Sequence, residues 1–225
     1  KCISMIENSI GHFVPSIDKI RCTNCGACQR ICPNNHNVEK HEPIKAYAAA
    51  SNDIEEYKSS SSGGVAAVLA RYIVENGGVV YGCTGTNGYD ICHIRVDNTK
   101  ELYRLKGSKY VESCMGDTYN NIREDLKKGK TVLFIGTPCQ CAGAVQLFGN
   151  NEKFYTVDLI CHGVPPQRLL REHLQTKISE DPDEISLRQG AQYKLTAYLN
   201  NKVLYKRMDL LDLYFNGFDK QLNFR

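Results

Sequence analysis

The chain has 225 residues and a formal net charge of +3, with 28 Lys and Arg against 25 Asp and Glu. Its length suits one sizeable core with a small additional segment, and excludes two large domains. The charge is too weak for the basic field of a nucleic-acid binder, and the apolar runs are shorter than the roughly 18 residues that a membrane span needs. We therefore expect a soluble protein with no nucleic-acid partner and no membrane span.

The cysteine content indicates the redox compartment. There are 11 cysteines, an odd number, and about half lie in or beside apolar runs rather than in a loop-rich small scaffold. This usage favours metal-binding or redox thiols in a reducing cytoplasm over a secreted disulfide framework. No signal peptide is present and the sequence opens at Lys1 without a methionine, so we expect a cytoplasmic protein of which this chain is a fragment.

The first 42 residues are polar and cysteine-rich, with little periodic pattern, as expected of a segment organised by a metal. Residues 21–35 read RCTNCGACQRICPNN, in which four cysteines have the spacing C-x2-C-x2-C-x3-C-P: Cys22, Cys25, Cys28 and Cys32. Two-residue spacers place successive thiolates on the corners of one 4Fe-4S cube. Zinc is the alternative, although its sites usually separate two cysteine pairs by a dozen or more residues.

The fourth cysteine of this motif raises a further expectation. In two-cluster ferredoxins the cysteine that precedes proline ligates the other cluster. Upstream of Cys22 the chain offers only Cys2, which is a weak ligand candidate. We therefore expect that neither cluster finds its full ligand set within this chain.

From about Ala46 the sequence alternates apolar helical and strand patterns. The predicted elements, in chain order, are a buried helix over 65–76, strands over 78–83 and 92–96, a helix over 117–130, a strand over 131–136, a short helix over 141–148, a strand over 154–160 and a helix over 165–178. A strand or hairpin region and an aromatic-rich helix complete the chain. Alternating helices and fully apolar strands predict a mostly parallel α/β sheet covered on both faces.

Three loops of this α/β part are candidates for chemistry. SSSSGG at 59–64 leads into a helix, where free N–H groups suit a phosphate, although a flexible linker fits equally well. GTPCQ at 136–140 and CHGVPP at 161–166 follow strands and should line the carboxyl edge of the sheet. This edge would gather Cys139, Cys141, Cys161 and His162. The alternative for these residues is ordinary packing, and we prefer a role as small buried apolar side chains for four cysteines: Cys83, Cys92, Cys114 and Cys141.

Several stretches, in this order, resemble the family of beta subunits of coenzyme F420 hydrogenases and dehydrogenases. The matching stretches are CTNCGACQRICP, SSSSGGVAAVLARYIVENGGVVYG, LKGSKYVES, GKTVLFIGTPCQCAG and DLICHGVP. The resemblance runs from residue 22 to about 166 and looks strongest to a bacterial branch found beside polysaccharide-synthesis genes. It implies an α/β fold, α+β overall, with a partial 4Fe-4S ferredoxin-like domain over 1–45. A flavin- or deazaflavin-binding domain, incomplete at its C-terminus, would cover 46–225.

The resemblance also implies cofactors and site residues. Family members carry 4Fe-4S clusters, FAD and, in some cases, coenzyme F420, and work with a redox partner protein or subunit. The implied flavin-site residues are Ser62, Gly63, Gly64, Ser108, Lys109, Tyr110, Gly136, Thr137, Pro138, Cys139 and Gln140. The implied metal ligands are Cys22, Cys25, Cys28 and Cys32, with Cys161 as an additional candidate. We expect the flavin-binding segments, represented by Gly63, Lys109 and Thr137, to surround one crevice.

The leading hypothesis is an iron-sulfur flavoprotein oxidoreductase that exchanges electrons among 4Fe-4S clusters, FAD and a hydride carrier such as coenzyme F420. A flavin suits this position because clusters carry single electrons whereas deazaflavins carry hydrides. One rival is a non-catalytic ferredoxin-like electron-carrier subunit. The other is an accessory protein of polysaccharide biosynthesis in which the clusters are structural.

Overall fold

The computed structural model describes residues 2–35, 42–86 and 88–219, which form three β-sheets with helices packed against them. The predicted α/β class is confirmed, with the ferredoxin-like segment at the N-terminus and parallel strands in the central sheet.

The N-terminal segment contains regular structure that the sequence analysis missed. Strands β1 (Ile3–Glu7) and β2 (Phe13–Ile17) form an antiparallel hairpin in which Ile3 lies opposite Ile17. The turn is held by Asn8, whose side chain accepts the N–H groups of Ile10 and His12 at 3.1 and 3.0 Å. The sequence analysis assigned no strands to this part of the segment. A short helix, α1 (Ala27–Ile31), follows within the cysteine motif. The next helix along the chain is α2 (Ile54–Ser59).

The central sheet has four strands in the order β4-β3-β5-β6. Its strands are β3 (Val79–Thr84), β4 (Cys92–Val96), β5 (Val132–Gly136) and β6 (Phe154–Asp158). Strand β5 pairs in parallel with β3 and with β6, while β4 is antiparallel to β3. The sheet is therefore mostly parallel, as predicted, with one antiparallel edge strand that results from the short β3–β4 connection.

Helices cover both faces of this sheet. On one face, α3 (Val65–Glu75) and a 3-10 helix (Thr99–Leu105) bury apolar side chains against β3, β4 and β5. On the other face, α4 (Thr118–Lys127) and α5 (Pro138–Phe148) pack over Val79, Tyr81, Val132 and Phe134. This arrangement explains why β3 and β5 read as continuous apolar runs.

Helix α5 differs from its prediction in a way that matters for the site. It was expected to begin at residue 141, but it begins at Pro138, so GTPCQ is not a free loop. Thr137 is the N-cap residue and its N–H donates to Oε1 of Gln140 at 3.0 Å. Proline at the first helical position together with this side-chain bond starts the helix one turn early.

The third sheet is antiparallel and has the strand order β7-β8-β9. Its elements are β7 (Glu184–Gln189), β8 (Gln192–Leu199) and β9 (Lys202–Met208). Helices α6 (Gln167–Gln175) and α7 (Leu213–Asp219) bury Leu170, Leu174, Tyr214 and Phe215 against this sheet. The predicted hairpin and aromatic helix are therefore present, with a third strand and a 3-10 helix (Asp209–Leu211) between them.

The N-terminal hairpin is docked onto the α/β part. Nδ1 of His12 lies 3.2 Å from Oε2 of Glu112, and the same carboxylate oxygen accepts the N–H of Phe13 at 3.4 Å. Gly11 lies so close to the Arg168 side chain that a Cβ there would approach it to 2.7 Å. Helix α1 contacts α5. The boundary near residue 45 stays a prediction, but the cysteine segment is in contact with the rest of the chain.

Candidate functional site

The cysteine motif is built on two tight backbone turns. Asn24 and Gly26 have φ values of 52° and 69°, and these left-handed residues reverse the chain between Cys22, Cys25 and Cys28. Arg30 closes the turn by donating from Nη1 to the carbonyl oxygen of Cys25 at 2.9 Å. The motif therefore presents its thiols on a short looped segment that ends in α1.

The chemistry of these thiols suits an iron-sulfur cluster. None of the four is in a disulfide; Cys25 and Cys28 are exposed, and Cys22 and Cys32 are half-buried. The N–H of Ala27, the hydroxyl of Thr23 and the charge of Arg30 lower the pKa of Cys25, which favours the thiolate that binds iron. Within the described residues no three His, Cys, Asp or Glu side chains lie close enough together to hold a metal ion. The donor set fits the cluster, although the side-chain positions do not by themselves form its cage.

The sequence-predicted cofactor segments lie at one edge of the central sheet. Because α3 leads into β3 and α5 follows β5, the N-termini of both helices lie beside the carboxyl ends of the strands. The two helices lie on opposite faces of the sheet. Ligands of α/β sheets bind outside the carboxyl ends of the strands, so the topology puts Gly64 and Thr137 at the expected edge.

The first two predicted segments touch each other. The N–H of Ser108 donates to Oγ of Ser61 at 3.0 Å, and Nζ of Lys106 donates to Oγ of Ser59 at 2.8 Å. A buried carboxylate, Glu56, supports this junction, since Oε1 lies 2.6 Å from Lys106 and Oε2 lies 3.0 Å from Arg71. Ser62 lies in the same serine run.

The two glycines of the first segment, Gly63 and Gly64, are required for different structural reasons. Gly64 is the N-cap residue of α3 with φ 77°, a backbone conformation that strains other residues. At Gly63 a Cβ would clash with the carbonyl oxygen of Ala49, and the Gly63 carbonyl accepts the N–H of Ser51 at 2.7 Å. The close approach that Gly63 permits is therefore occupied by the chain itself.

Lys109 and Tyr110 point into the protein. Nζ of Lys109 donates to the carbonyl oxygens of Leu105 and Lys106 at 3.1 and 2.7 Å, and burial lowers the pKa of this lysine to about 8. The hydroxyl of Tyr110 accepts from Nη1 of Arg188 at 2.8 Å. The Arg188 guanidinium also stacks 4.6 Å from the ring centre of Tyr193. Arg188 therefore brings a cation from strand β7 to the predicted site.

The third predicted segment belongs to a different polar network. Oε1 of Gln140 accepts the N–H and the hydroxyl of Thr137, while Nε2 donates to Oγ of Ser113 at 2.9 Å. Oγ of Ser113 in turn lies 3.1 Å from Nδ1 of His93. Gly136 ends β5, where a Cβ would meet the ring of Phe134 at 2.8 Å. Pro138 begins α5, and Cys139 is exposed with its sulfur 3.2 Å from Oγ1 of Thr137.

The hydrogen bonds of His93 fix its proton. Nε2 lies 3.1 Å from the carbonyl oxygen of Ile135, which can only accept, so Nε2 carries the hydrogen. Nδ1 therefore accepts from the Ser113 hydroxyl, and that oxygen accepts from Gln140. Burial lowers the pKa of His93 to about 4, so the ring is neutral near pH 7. A neutral histidine here holds Ser113 and Gln140 in place.

The structure thus joins some predicted residues and leaves others apart. Ser61 and Ser108 connect the first two segments, whereas Gln140 reaches Ser113 and the described contacts do not join it to Gly63 or Lys109. Cys161 is half-buried and its sulfur accepts the N–H of Gly163 at 3.4 Å. Cys141 is buried, and burial raises its pKa, as expected for a packing residue.

Sequence reasoning missed four residues that organise this region: Glu56, His93, Ser113 and Arg188. The SSSSGG stretch indicated the serine and glycine loop, but no local sequence pattern indicates that Glu56 is buried.

A depression of about 430 Å³ lies at the other edge of the sheet, lined by residues of α4 and α5 that include Arg123, Lys127 and Phe148. It is remote from the predicted cofactor edge. In the part of the chain that is described, no helix has the length and apolar character of a membrane span.

Comparison with known proteins identifies the relatives. Residues 129–217 match the model for the C terminus of the coenzyme F420 hydrogenase/dehydrogenase beta subunit. The chain is also 23% identical over 171 residues to an F(420)H(2) dehydrogenase subunit of Methanosarcina mazei. The C-terminal part of this chain is therefore similar to the beta subunits of coenzyme F420 hydrogenases and dehydrogenases. The match to the Methanosarcina mazei protein covers 71% of this chain and 48% of that protein, so the chain spans about half of its curated relative.

Two further matches concern the N-terminal segment and the fold. Residues 15–35 match the 4Fe-4S binding domain, which includes all four cysteines of the motif. The fold is similar to a chain in the structure described as the F420-reducing [NiFe] hydrogenase complex from Methanosarcina barkeri, with TM-score 0.52 and 17% identity. That likeness covers 78% of this chain and 61% of the other. The chain thus combines a segment similar to 4Fe-4S binding domains with a fold similar to that of a chain in this complex.

Proposed function

We propose that this beta-subunit relative passes electrons between a 4Fe-4S cluster and a hydride carrier of the coenzyme F420 type. One observation carries the proposal: the N-terminal segment with the cysteine motif is docked onto the α/β part, of which the family model matches residues 129–217. His12 and Phe13 of the hairpin bind Glu112, and α1 contacts α5, whose first turn lies at the carboxyl edge of the sheet. A cluster beside α1 would therefore lie close to the edge where cofactors bind in α/β sheets.

The cluster ligands we propose are Cys22, Cys25 and Cys28, with Cys32 as the fourth thiolate or as a ligand of a neighbouring cluster. When bound, a 4Fe-4S cluster supplies or accepts one electron at a time. The lowered pKa of Cys25 keeps its thiolate available, and the Ala27 N–H that lowers it would also donate toward the sulfur. Cys161 stays a candidate ligand from the loop after β6.

The finer proposal is that FAD converts between single electrons and hydride at the same edge. Helix α3 has no side-chain bond at its N-terminus, so its first N–H groups face the region around Ser62 and Gly64. Ser108 and Tyr110 adjoin this region, and Arg188 adds a cation. Gly136, Thr137, Pro138, Cys139 and Gln140 would form the wall from the opposite face.

A redox partner protein or subunit is also part of the proposal. The relatives named above are a dehydrogenase subunit and a chain of a hydrogenase complex. Electrons that reach a cluster on an exposed looped segment need a donor or acceptor outside this chain. Exposed Cys25 and Cys28 put that cluster at a surface that a partner can approach.

A non-catalytic electron carrier is the second candidate, and two contacts favour it. The space above Gly63 is occupied by Ala49, and the ammonium of Lys109 is turned onto two backbone carbonyls rather than toward an open cleft. In this reading the α/β part would dock a partner enzyme and hold no flavin.

Anaerobic purification with cofactor analysis distinguishes the candidates. The oxidoreductase proposal predicts iron and acid-labile sulfide, stoichiometric flavin, and bleaching of the cluster absorption when reduced coenzyme F420 is added. Clusters without flavin, bleached by dithionite but not by reduced coenzyme F420, would establish the carrier. Zinc without iron after anaerobic reconstitution would overturn both.

A further inference from the structure

Two cysteines outside the proposed cofactor site are direct strand partners. Cys92 begins β4, and Cys114 forms a single parallel bridge with it. The N–H of His93 donates to the Cys114 carbonyl at 3.0 Å, and the N–H of Cys114 donates to the Ile91 carbonyl at 2.9 Å. Paired strands lie about 4.8 Å apart. That spacing falls within the 4.4–6.8 Å Cα separation of disulfides, and direct partners project to the same side.

The surroundings of the pair allow reaction. Neither cysteine is in a disulfide, and both are half-buried, which leaves part of each side chain exposed to solvent. Burial raises the pKa of Cys92, and the negative charge that Cys114 would carry as a thiolate raises it further. Cys83 lies nearby in β3, but its strand partner is His93, and burial raises its pKa to about 11. Cys114 lies in a loop, which leaves room for the small shift that a covalent bond requires.

We propose that Cys92 and Cys114 form a reversible disulfide by exchange with a low-molecular-weight disulfide such as glutathione disulfide. One thiolate attacks glutathione disulfide, forms a mixed disulfide and releases one glutathione thiolate. The second cysteine, as its thiolate, then attacks the protein sulfur of the mixed disulfide and releases the second glutathione. Two protein thiols lose two electrons and two protons, and one glutathione disulfide becomes two glutathione molecules.

The Cys92–Cys114 disulfide would restrain the segment 112–114, which contacts two other parts of the chain. Cys114 follows Glu112, which binds His12 and Phe13 of the N-terminal hairpin, and Ser113, which binds Gln140. A disulfide to β4 would therefore fix the segment that connects the N-terminal hairpin with the first turn of α5. This inference does not depend on the proposed function, because it concerns thiols that neither the cluster nor the flavin uses.

The test is disulfide mapping of the anaerobically purified protein after incubation with glutathione disulfide. Trypsin leaves Cys114 in the peptide 110–123 and puts Cys92 in the peptide 72–95 together with Cys83. We expect a cross-link between these two peptides that a thiol reductant removes. Cys83→Ala is the matched control and should keep the cross-link, whereas Cys92→Ala and Cys114→Ala should each lose it.

Three results would overturn the proposal. They are a cross-link lost in Cys83→Ala but kept in Cys92→Ala, stable glutathione adducts on Cys92 or Cys114 without a cross-link, and complete recovery of both thiols under oxidant that modifies the exposed Cys139. Iron and flavin contents of the same samples report on the proposed function separately, so failure of one inference is distinguishable from failure of the other.

Discussion

Replacing Glu56 with glutamine tests the buried carboxylate under the proposed cofactor edge. The Glu56 residue is 5% exposed, and its two oxygens bind Lys106 at 2.6 Å and Arg71 at 3.0 Å. Glutamine keeps the shape but offers one acceptor oxygen, so one charge-assisted bond is lost and the other becomes charge-to-neutral. Removing one partner of a fully buried ion pair costs about 3–5 kcal/mol. The cations here are 24% and 45% exposed, so we expect about 2 kcal/mol.

The expected loss is measurable by urea unfolding or by thermal melting. A change of about 2 kcal/mol corresponds to a fall in melting temperature of about 4–8 °C for a protein of this size. Glu55→Gln is the matched control, because Glu55 is the preceding residue of the same helix and its carboxylate is 81% exposed, 3.7 Å from Lys58. We expect the control to change stability by less than about 0.5 kcal/mol.

The pKa of Glu56 predicts how its contribution to the free energy of unfolding changes with pH. Burial by itself would raise the pKa of Glu56, but the bonds from Lys106 and Arg71 hold the pKa below its ordinary value of 4.5. The folded state therefore binds the proton less tightly than the unfolded state does. The stability that this carboxylate provides is present above pH 4.5 and is lost as the pH falls through the folded value. Equal destabilisation by both variants, or a difference that persists unchanged at low pH, would refute the reasoning.

The remaining predictions concern the cluster, the core and the cofactor edge. Cys25→Ser should remove about one cluster's iron from anaerobically purified protein, while Cys83→Ser keeps the iron content unchanged; equal iron in both variants would contradict the ligand assignment. Tyr81→Phe removes the 2.6 Å bond from the tyrosine hydroxyl to Asp125 and should lower the free energy of unfolding by about 1.5 kcal/mol in urea titrations. Gly64→Val, at φ 77°, should lower thermal stability and abolish any bound flavin without changing the iron content, and a variant that retains its flavin would disprove the site.

The sequence predicted the elements whose signal is local. Helix α3 and strand β5 were located to within a residue because each is an apolar run bounded by glycine. The start of α5 was missed because it depends on the Gln140 side chain folding back onto Thr137. The hairpin of β1 and β2 was missed because its strands are short and mostly exposed, which leaves little periodicity to detect.

The candidate site was predictable in its residue types and less so in its contacts. The cysteine spacing alone indicated the iron-sulfur segment that the 4Fe-4S domain match supports. The contact of Ser61 with Ser108 spans 47 positions and that of Ser113 with Gln140 spans 27, and no local pattern encodes such pairs. The direction in which Lys109 points also depends on this tertiary context. The predicted flavin residues stay a prediction for the same reason.

The N-terminal hairpin differs from the central sheet in how firmly its backbone is protected. All five residues of β1 are exposed, and two-stranded hairpins are marginally stable in water, whereas Val132, Leu133 and Phe134 of β5 are buried between parallel neighbours. Amide hydrogens exchange through local openings whose free energies range from near zero to that of global unfolding. The β1 and β2 amides should therefore exchange with deuterium well before those of β5. Loss of the Glu112 carboxylate should accelerate that exchange in the hairpin and leave β5 unchanged.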